Sequence, residues 1–307
     1  MTTENPWASG AWPVAPTVFK EDGTLDLAGY RRALDCIVDQ GATGVCILAN
    51  YSEQFLLTDA ERETLTRIGL EHLAGRIPAI VTISHYATPI VEERARLARD
   101  LGALGVMMMA PYHGSLLKGS PVQTYEQFAR VGEVGIPIMV QDAPLSGVDL
   151  PVSLLVKMAQ EIEMVQAFKI ECAGTASKLR TLIAQGGDAI LGPWDGEEGI
   201  TMLADLDAGA TATMCSAMVT EHILSVVQDH RSGCHDAAVE GYARLLPAVN
   251  HENRQCGFRA AKAAMLEGKV IESDFSRHPI EPLSPETRSE LLRLLKPLDP
   301  ISLRWGH

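Results

Sequence analysis

Apolar residues along the chain gather in eight short runs, at 12–19, 44–49, 78–84, 105–110, 137–141, 165–170, 189–191 and 210–215. Most are continuous rather than alternating, as strands are when both faces of a parallel sheet are covered. Between them lie amphipathic stretches with helix punctuation. "LTDAERETLTRIGLEHLAG" carries a Thr58/Asp59 cap and ends at Gly75, and "TPIVEERARLARDLG" opens on Thr88-Pro89 and ends at Gly102. The links back to the strands repeat a glycine pattern, "GATGV", "GALGV" and "GIPI". Eight repeats of one β-α unit predict a (β/α)8 TIM barrel. A doubly wound open sheet fits less well, because the count is eight and no G-x-G-x-x-G follows the first strand. From about 219 the pattern turns helical without further strands. Residues 1–218 are therefore read as barrel strands and helices 1–7 plus strand 8. Residues 219–307 are read as the last barrel helix and a C-terminal helical extension, with 273–285 as an irregular linker.

Composition narrows the function more than the fold. A net charge of −13 argues against nucleic acid or an anionic membrane surface as partner. No apolar stretch approaches the ~20 residues that span a bilayer, and the start lacks the basic and apolar regions of a signal peptide. The expectation is a soluble, cytoplasmic protein. Six cysteines without C-x-x-C spacing read as small buried thiols. No His/Cys/Asp cluster has metal-ligand spacing, so neither a metal nor another cofactor is expected.

In such a barrel the reacting groups sit at the C-terminal ends of strands and on the loops that follow. The sixth run ends in "AFKIE", with Lys169 among apolar neighbours and Glu171 two residues on. Positions i and i+2 of a strand share a face, so the two charges point the same way. A lysine inside a barrel loses affinity for its proton by desolvation, and its free amine can attack a carbonyl. The competing reading is a core ion pair with no chemistry.

The strand ends resemble the dihydrodipicolinate synthase/N-acetylneuraminate lyase family over nearly the whole chain. "PVAPTVF" is similar to the family's strand-1 signature, and "ANYSEQFLLTDAER" to its G-T-T-G-E leader with L-T-x-x-E-R. "APYH" stands at P-Y-Y, "AFK" at the Schiff-base lysine and "DGEE" at the strand-7 S-G-D/E, with Gly196 at the glycine. The resemblance implies a small-molecule 2-oxo acid substrate, a covalent imine on Lys169, a helical extension and a homotetramer.

The departures from the family pattern point to the reaction. "QDAP" puts Gln141 where the family carries a proton-shuttling tyrosine, and an amide does not titrate usefully. Asn50 and Tyr51 replace the threonine pair, His113 replaces the second tyrosine of P-Y-Y, and Glu171 replaces a small residue. A carboxylate beside the imine can take a C3 proton and then protonate a departing C4 hydroxyl. Retro-aldol cleavage instead needs a base on that hydroxyl. The expectation is a dehydratase of a 2-keto-3-deoxy sugar acid, with Lys169 and Glu171 catalytic. Within the family the swap most resembles the branch converting L-2-keto-3-deoxyarabonate to α-ketoglutaric semialdehyde. The alternatives are a retro-aldolase and a non-catalytic 2-oxo acid binder.

Other candidates for substrate contact are Asn50, Tyr51, Ser52, His85, His113, Gln141, Gly196, Thr213 and Ser216. Asn50 and Tyr51 would hold the substrate carboxylate, against the plainer reading of an ordinary turn before a helix. Ser52, His85 and His113 could contact the sugar-acid hydroxyls, but each alone reads more readily as a satisfied polar loop residue. Glu53 is expected to brace its loop. Trp194, Asp195 and Glu197 are candidates for shaping the distal pocket.

Overall fold

The computed structural model describes Asn5, Trp7 and residues 9–307. Its strands are β1 (Gly10–Val14), β2 (Val45–Ile47), β3 (Ala79–Thr82), β4 (Gly105–Met109), β5 (Tyr112–His113), β6 (Leu117–Lys118), β7 (Ile138–Asp142), β8 (Val165–Ile170), β9 (Gly192–Asp195) and β10 (Ala212–Ser216). Eight of them close in the order β1-β10-β9-β8-β7-β4-β3-β2, and β5-β6 forms a separate hairpin in the loop after β4. This is the (β/α)8 barrel that the eight repeats predict. Its strands are buried throughout apart from Gln166, which explains why they read as continuous apolar runs.

The connecting helices are α1 (Leu27–Asp39), α2 (Asp59–Leu73), α3 (Thr88–Asp100), α4 (Pro121–Gly132), α5 (Val152–Glu161), α6 (Thr175–Gly186), α7 (Met202–Asp207) and α8 (Thr220–Arg231). Helix α2 starts in a capping box, with Thr58 Oγ1 accepting from the Glu61 N–H while Glu61 accepts from the Thr58 N–H. It ends on Ala74 in the left-handed region. The C-terminal extension comprises α9 (His235–His251), a π turn at Glu252–Cys256, α10 (Arg259–Glu267), α11 (Pro285–Leu295) and α12 (Ile301–Arg304). The 273–283 segment has no regular structure. No helix among the described residues is long and apolar enough to cross a membrane.

Two expected strands are displaced. The first ends at Val14, because the apolar residues that follow continue as a buried loop, with Phe19 bridging to Leu25. The seventh lies at Gly192–Asp195 rather than 189–191, where the chain makes a single 3-10 turn at Gly187–Ala189.

The chain resolves into two compact units. Unit one holds Ile80–Gly196, Thr201–Thr213 and the N-terminal segment with Trp7. Unit two holds Gly10–Ala79, Glu197–Ile200 and Met214–His307. The core of unit one includes an edge-on contact between Trp7 and Trp194, with ring centroids 6.0 Å apart. Trp7 Nε1 donates to Gln166 Oε1 at 3.1 Å, so the buried indole N–H is satisfied.

Candidate active site

Strand β8 lies between β7 and β9, with Lys169 paired to Gln141 on one side and Trp194 on the other. Paired residues of parallel strands share a face, so Gln141, Lys169 and Trp194 point together while Phe168 and Ile170 point away. Glu171 continues that face, its N–H donating to the Asp142 carbonyl at 2.9 Å. Lys169 and Glu171 are only 3% and 9% exposed. The Lys169 ammonium forms an ion pair with Glu171 Oε1, and Gln141 Nε2 donates to Glu171 Oε2 at 2.9 Å. Gly196 lies against the pair. A Cβ there would collide with Glu171 Cγ and come within 3.0 Å of Lys169 Cε. The glycine is thus required by the close approach of the Glu171 and Lys169 side chains.

The opposite face of these strands is also polar, but it braces helices. Asp142 pairs with Lys178 of α6 at 2.6 Å; burial raises its carboxyl pKa, and Lys178 partly opposes the rise. Asp195 is in register with Ile170 and with Thr213, which puts it on the face away from Lys169. Its fully buried carboxyl meets Asp205 of α7, whose Oδ2 accepts from Thr201 Oγ1 at 2.6 Å. Burial, and then the adjoining Asp205, push the Asp195 pKa well above the carboxylate range, while the Thr213 hydroxyl and Lys169 partly counter it. Thr213, expected to meet substrate, therefore stands with Asp195 on the helix side of the sheet. Trp194, on the Lys169 face, is fully buried with its ring edge-on to Trp7.

In unit two the loop after β2 winds through turns at Asn50–Ser52 and Gln54–Leu56, joined by Glu53 at φ 56°. Asn50 Oδ1 accepts from Gln54 Nε2 at 2.8 Å, and Gln54 Oε1 accepts from Arg62 Nη1 at 3.0 Å. The Tyr51 ring meets Phe258 edge-on at 6.5 Å, and Phe55 meets the same ring at 5.8 Å. Ser52 Oγ donates to the Ala15 carbonyl at 2.6 Å and accepts from the Ala49 N–H at 3.1 Å, which ties this loop to the chain leaving β1. Glu53 forms a fully buried ion pair with Lys262 of α10. Burial raises the Glu53 pKa and lowers that of Lys262, and each charge partly restores the other.

Ser216 closes β10, accepting from the Met218 N–H at 3.2 Å and meeting the buried Glu252 carboxyl. Burial, then the neighbouring Glu198, push the Glu252 pKa well up. Asn253 Nδ2 donates to Glu198 Oε2 at 3.3 Å, and Arg254 lies 3.7 Å from Glu197. The π turn thus turns consecutive residues toward the Glu197–Glu198 loop, both of whose glutamates are left-handed (φ 52° and 60°). Nothing in "GEEG" announces the buried position of Glu198. His85 and His113 are exposed. His85 Nδ1 accepts from the Ala87 N–H at 3.0 Å, and His113 sits on the β5–β6 hairpin opposite Leu117.

A buried lysine and carboxylate at the end of the sixth strand define a (β/α)8 barrel equipped for carbonyl chemistry. The chain belongs to the dihydrodipicolinate synthetase family, whose model matches residues 8–298. It is 52% identical over 307 residues to an L-2-keto-3-deoxyarabonate dehydratase of Azospirillum brasilense, covering 100% of this chain and 99% of the relative. It is 28% identical to 4-hydroxy-tetrahydrodipicolinate synthase 2 of Streptomyces coelicolor, covering 90% of each chain. Among solved structures it resembles dihydrodipicolinate synthase from Aquifex aeolicus (TM-score 0.88, 22% identity, 95% of this chain and 98% of that one). The synthase from Rhodopseudomonas palustris is similarly close, with TM-score 0.86, 25% identity and coverage of 95% and 98%.

Proposed function

We propose that the chain is a lysine-imine hydro-lyase that converts L-2-keto-3-deoxyarabonate to α-ketoglutaric semialdehyde. The observation that carries this reading is the Glu171 carboxylate held between the Lys169 amine and the Gln141 amide. Full-length 52% identity to a dehydratase of that acid supports it.

In the resting ion pair Glu171 is placed to take the proton of Lys169 and free its amine to attack the C2 carbonyl. Loss of water from the adduct leaves a protonated imine, which acidifies C3. Glu171 then removes a C3 proton and, as the acid, delivers a proton to the C4 hydroxyl as the C–O bond breaks. Elimination leaves a C3–C4 double bond conjugated to the imine. Moving one proton from C5 to C3 turns the C5 carbinol into an enol and then an aldehyde. Hydrolysis of the imine returns Lys169 and releases product. The net change is loss of one water, and C5 is oxidised at the expense of C4 alone, so no external oxidant enters. Asn50, Tyr51, Ser52 and Ser216 are proposed around the substrate's polar groups, with His85 and His113 on the outer loops. The homotetramer and cytoplasmic setting implied by the family belong to the same proposal.

Incubation with L-2-keto-3-deoxyarabonate should yield semialdehyde without pyruvate. Pyruvate and glycolaldehyde in its place would replace the dehydratase reading with a retro-aldolase.

A further inference from the structure

We propose that Gln141 is the positioning residue for Glu171, holding the carboxylate in place while Lys169 is committed to the imine. This rests on Glu171 as proton carrier and adds a role that resemblance does not supply. Gln141 is in register with Lys169 on the adjacent strand and is 2% exposed. Its Nε2 donates to Glu171 Oε2 at 2.9 Å, while Lys169 takes Oε1. A carboxylate only accepts, so the amide must present its NH2 group to Glu171 and its carbonyl elsewhere.

That carbonyl, Gln141 Oε1, is buried and has no hydrogen-bond partner among the described residues. An orphaned buried acceptor costs roughly 1–3 kcal/mol, and such exceptions call for a functional explanation. Here the orphan is the consequence of keeping the donor on the carboxylate. When Lys169 becomes an imine, the ammonium that held Oε1 is gone and the amide still holds Oε2. Because the amide does not titrate, it restrains Glu171 without competing for the proton being moved. For the same reason it offers no base to a C4 hydroxyl, so the residue that steadies elimination also withholds carbon–carbon cleavage.

The test uses Gln141→Leu and the isosteric Gln141→Glu in the full-length protein. Both should lower kcat by about 10- to 100-fold with KM within about threefold, the signature of an interaction that matters after binding. Borohydride trapping of pyruvate at Lys169 should stay at the wild-type extent, which shows that the fold and the amine survive. An infrared carboxylate band identified by its loss in Glu171→Gln should move in Gln141→Leu. This band reads the contact whatever product the enzyme makes. A moved band with pyruvate as the wild-type product would sustain the Gln141 contact and remove the dehydratase reading. An unmoved band, or a rise in KM at unchanged kcat, would overturn the positioning role.

Discussion

Two lysine–glutamate pairs are buried among the described residues, and their surroundings separate a brace from the couple proposed to react. Lys262 and Glu53 are fully enclosed in unit two. Lys262 also donates to the Phe275 carbonyl at 2.7 Å and to Ser276 Oγ at 3.0 Å, and its ammonium lies 5.4 Å from the Phe19 ring centroid. Every donor direction is occupied by rigid protein, which makes the pair tolerable in the core. Lys169 and Glu171 in unit one are side chains of a single strand end, 3% and 9% exposed, against a glycine rather than a side chain. Each balances the other's charge and a neutral amide donates to the carboxylate, while the Asp195 and Asp142 carboxyls act on them from the opposite face of the sheet. On the proposed mechanism the same two residue types serve stability in one shell and chemistry in the other.

The widest separation of the pairs should come from cutting each lysine. Lys169→Met should lower turnover by at least about a thousandfold and abolish borohydride labelling. Its stability should fall less, because Glu171 keeps the Gln141 donor. Lys262→Met should instead destabilise by about 3–5 kcal/mol in denaturant titration, since Glu53 is left charged and enclosed. Labelling of Lys169 in the folded fraction should be unchanged. Equal stability losses in the two variants would erase the distinction.

A smaller effect should come from filling the space beside the reactive pair. Gly196→Ala requires Glu171 and Lys169 to move, since the new methyl would collide with Glu171 Cγ and crowd Lys169 Cε. We expect turnover to drop about 10- to 100-fold, as displacement from productive geometry does. Thermal unfolding should shift little. Wild-type kinetics would mean that the close approach has no catalytic importance.

The mildest contrast is a third pair in unit two. Arg277 grips Glu61 with both terminal guanidinium nitrogens, at 2.8 and 2.5 Å, and stacks over the same Phe19 ring at 4.5 Å. The Arg277 hydrogen bonds hold Glu61 down to about 2 from its usual 4.5, although burial opposes them. A lowered carboxylate stabilises the fold above its unfolded pKa and loses that contribution as pH falls through the folded one. Glu61→Gln should therefore cost about 1 kcal/mol at neutral pH. The difference from wild type should shrink as pH falls from 4.5 through 2. A pH-independent difference would place the effect in packing.

Much of the barrel is legible from local pattern, because its strands are buried on both faces and helices such as α1, α2 and α4 carry their own side-chain caps at Asp26, Thr58 and Ser120. The strands that shifted are those where local pattern misleads. Gly192-Pro193 resembles a turn yet lies inside β9, where the Pro193 carbonyl accepts from Thr211 N–H at 2.8 Å. The shared face of Lys169 and Glu171 follows from a period of two and needs no tertiary information. Thr213 needed more, since its face depends on register with Asp195 across β9–β10. Lys262 sits in "AAKAAM", whose small neighbours hint at burial, but its partner Glu53 is remote in sequence and only the fold brings them together. The buried Glu198 and the acid pair Asp195–Asp205 depend on loop and helix placement that no spacing encodes.

The central claim is that Glu171 carries the protons of dehydration beside an imine on Lys169. Glu171→Gln, treated with pyruvate and borohydride and then digested for mass analysis, tests it most directly alongside a turnover assay on L-2-keto-3-deoxyarabonate. We predict the reduced adduct on the Lys169 peptide as in wild type, with semialdehyde formation down by at least about a hundredfold. Wild-type turnover in this variant would remove Glu171 from the mechanism, and an adduct missing from wild type would remove the imine.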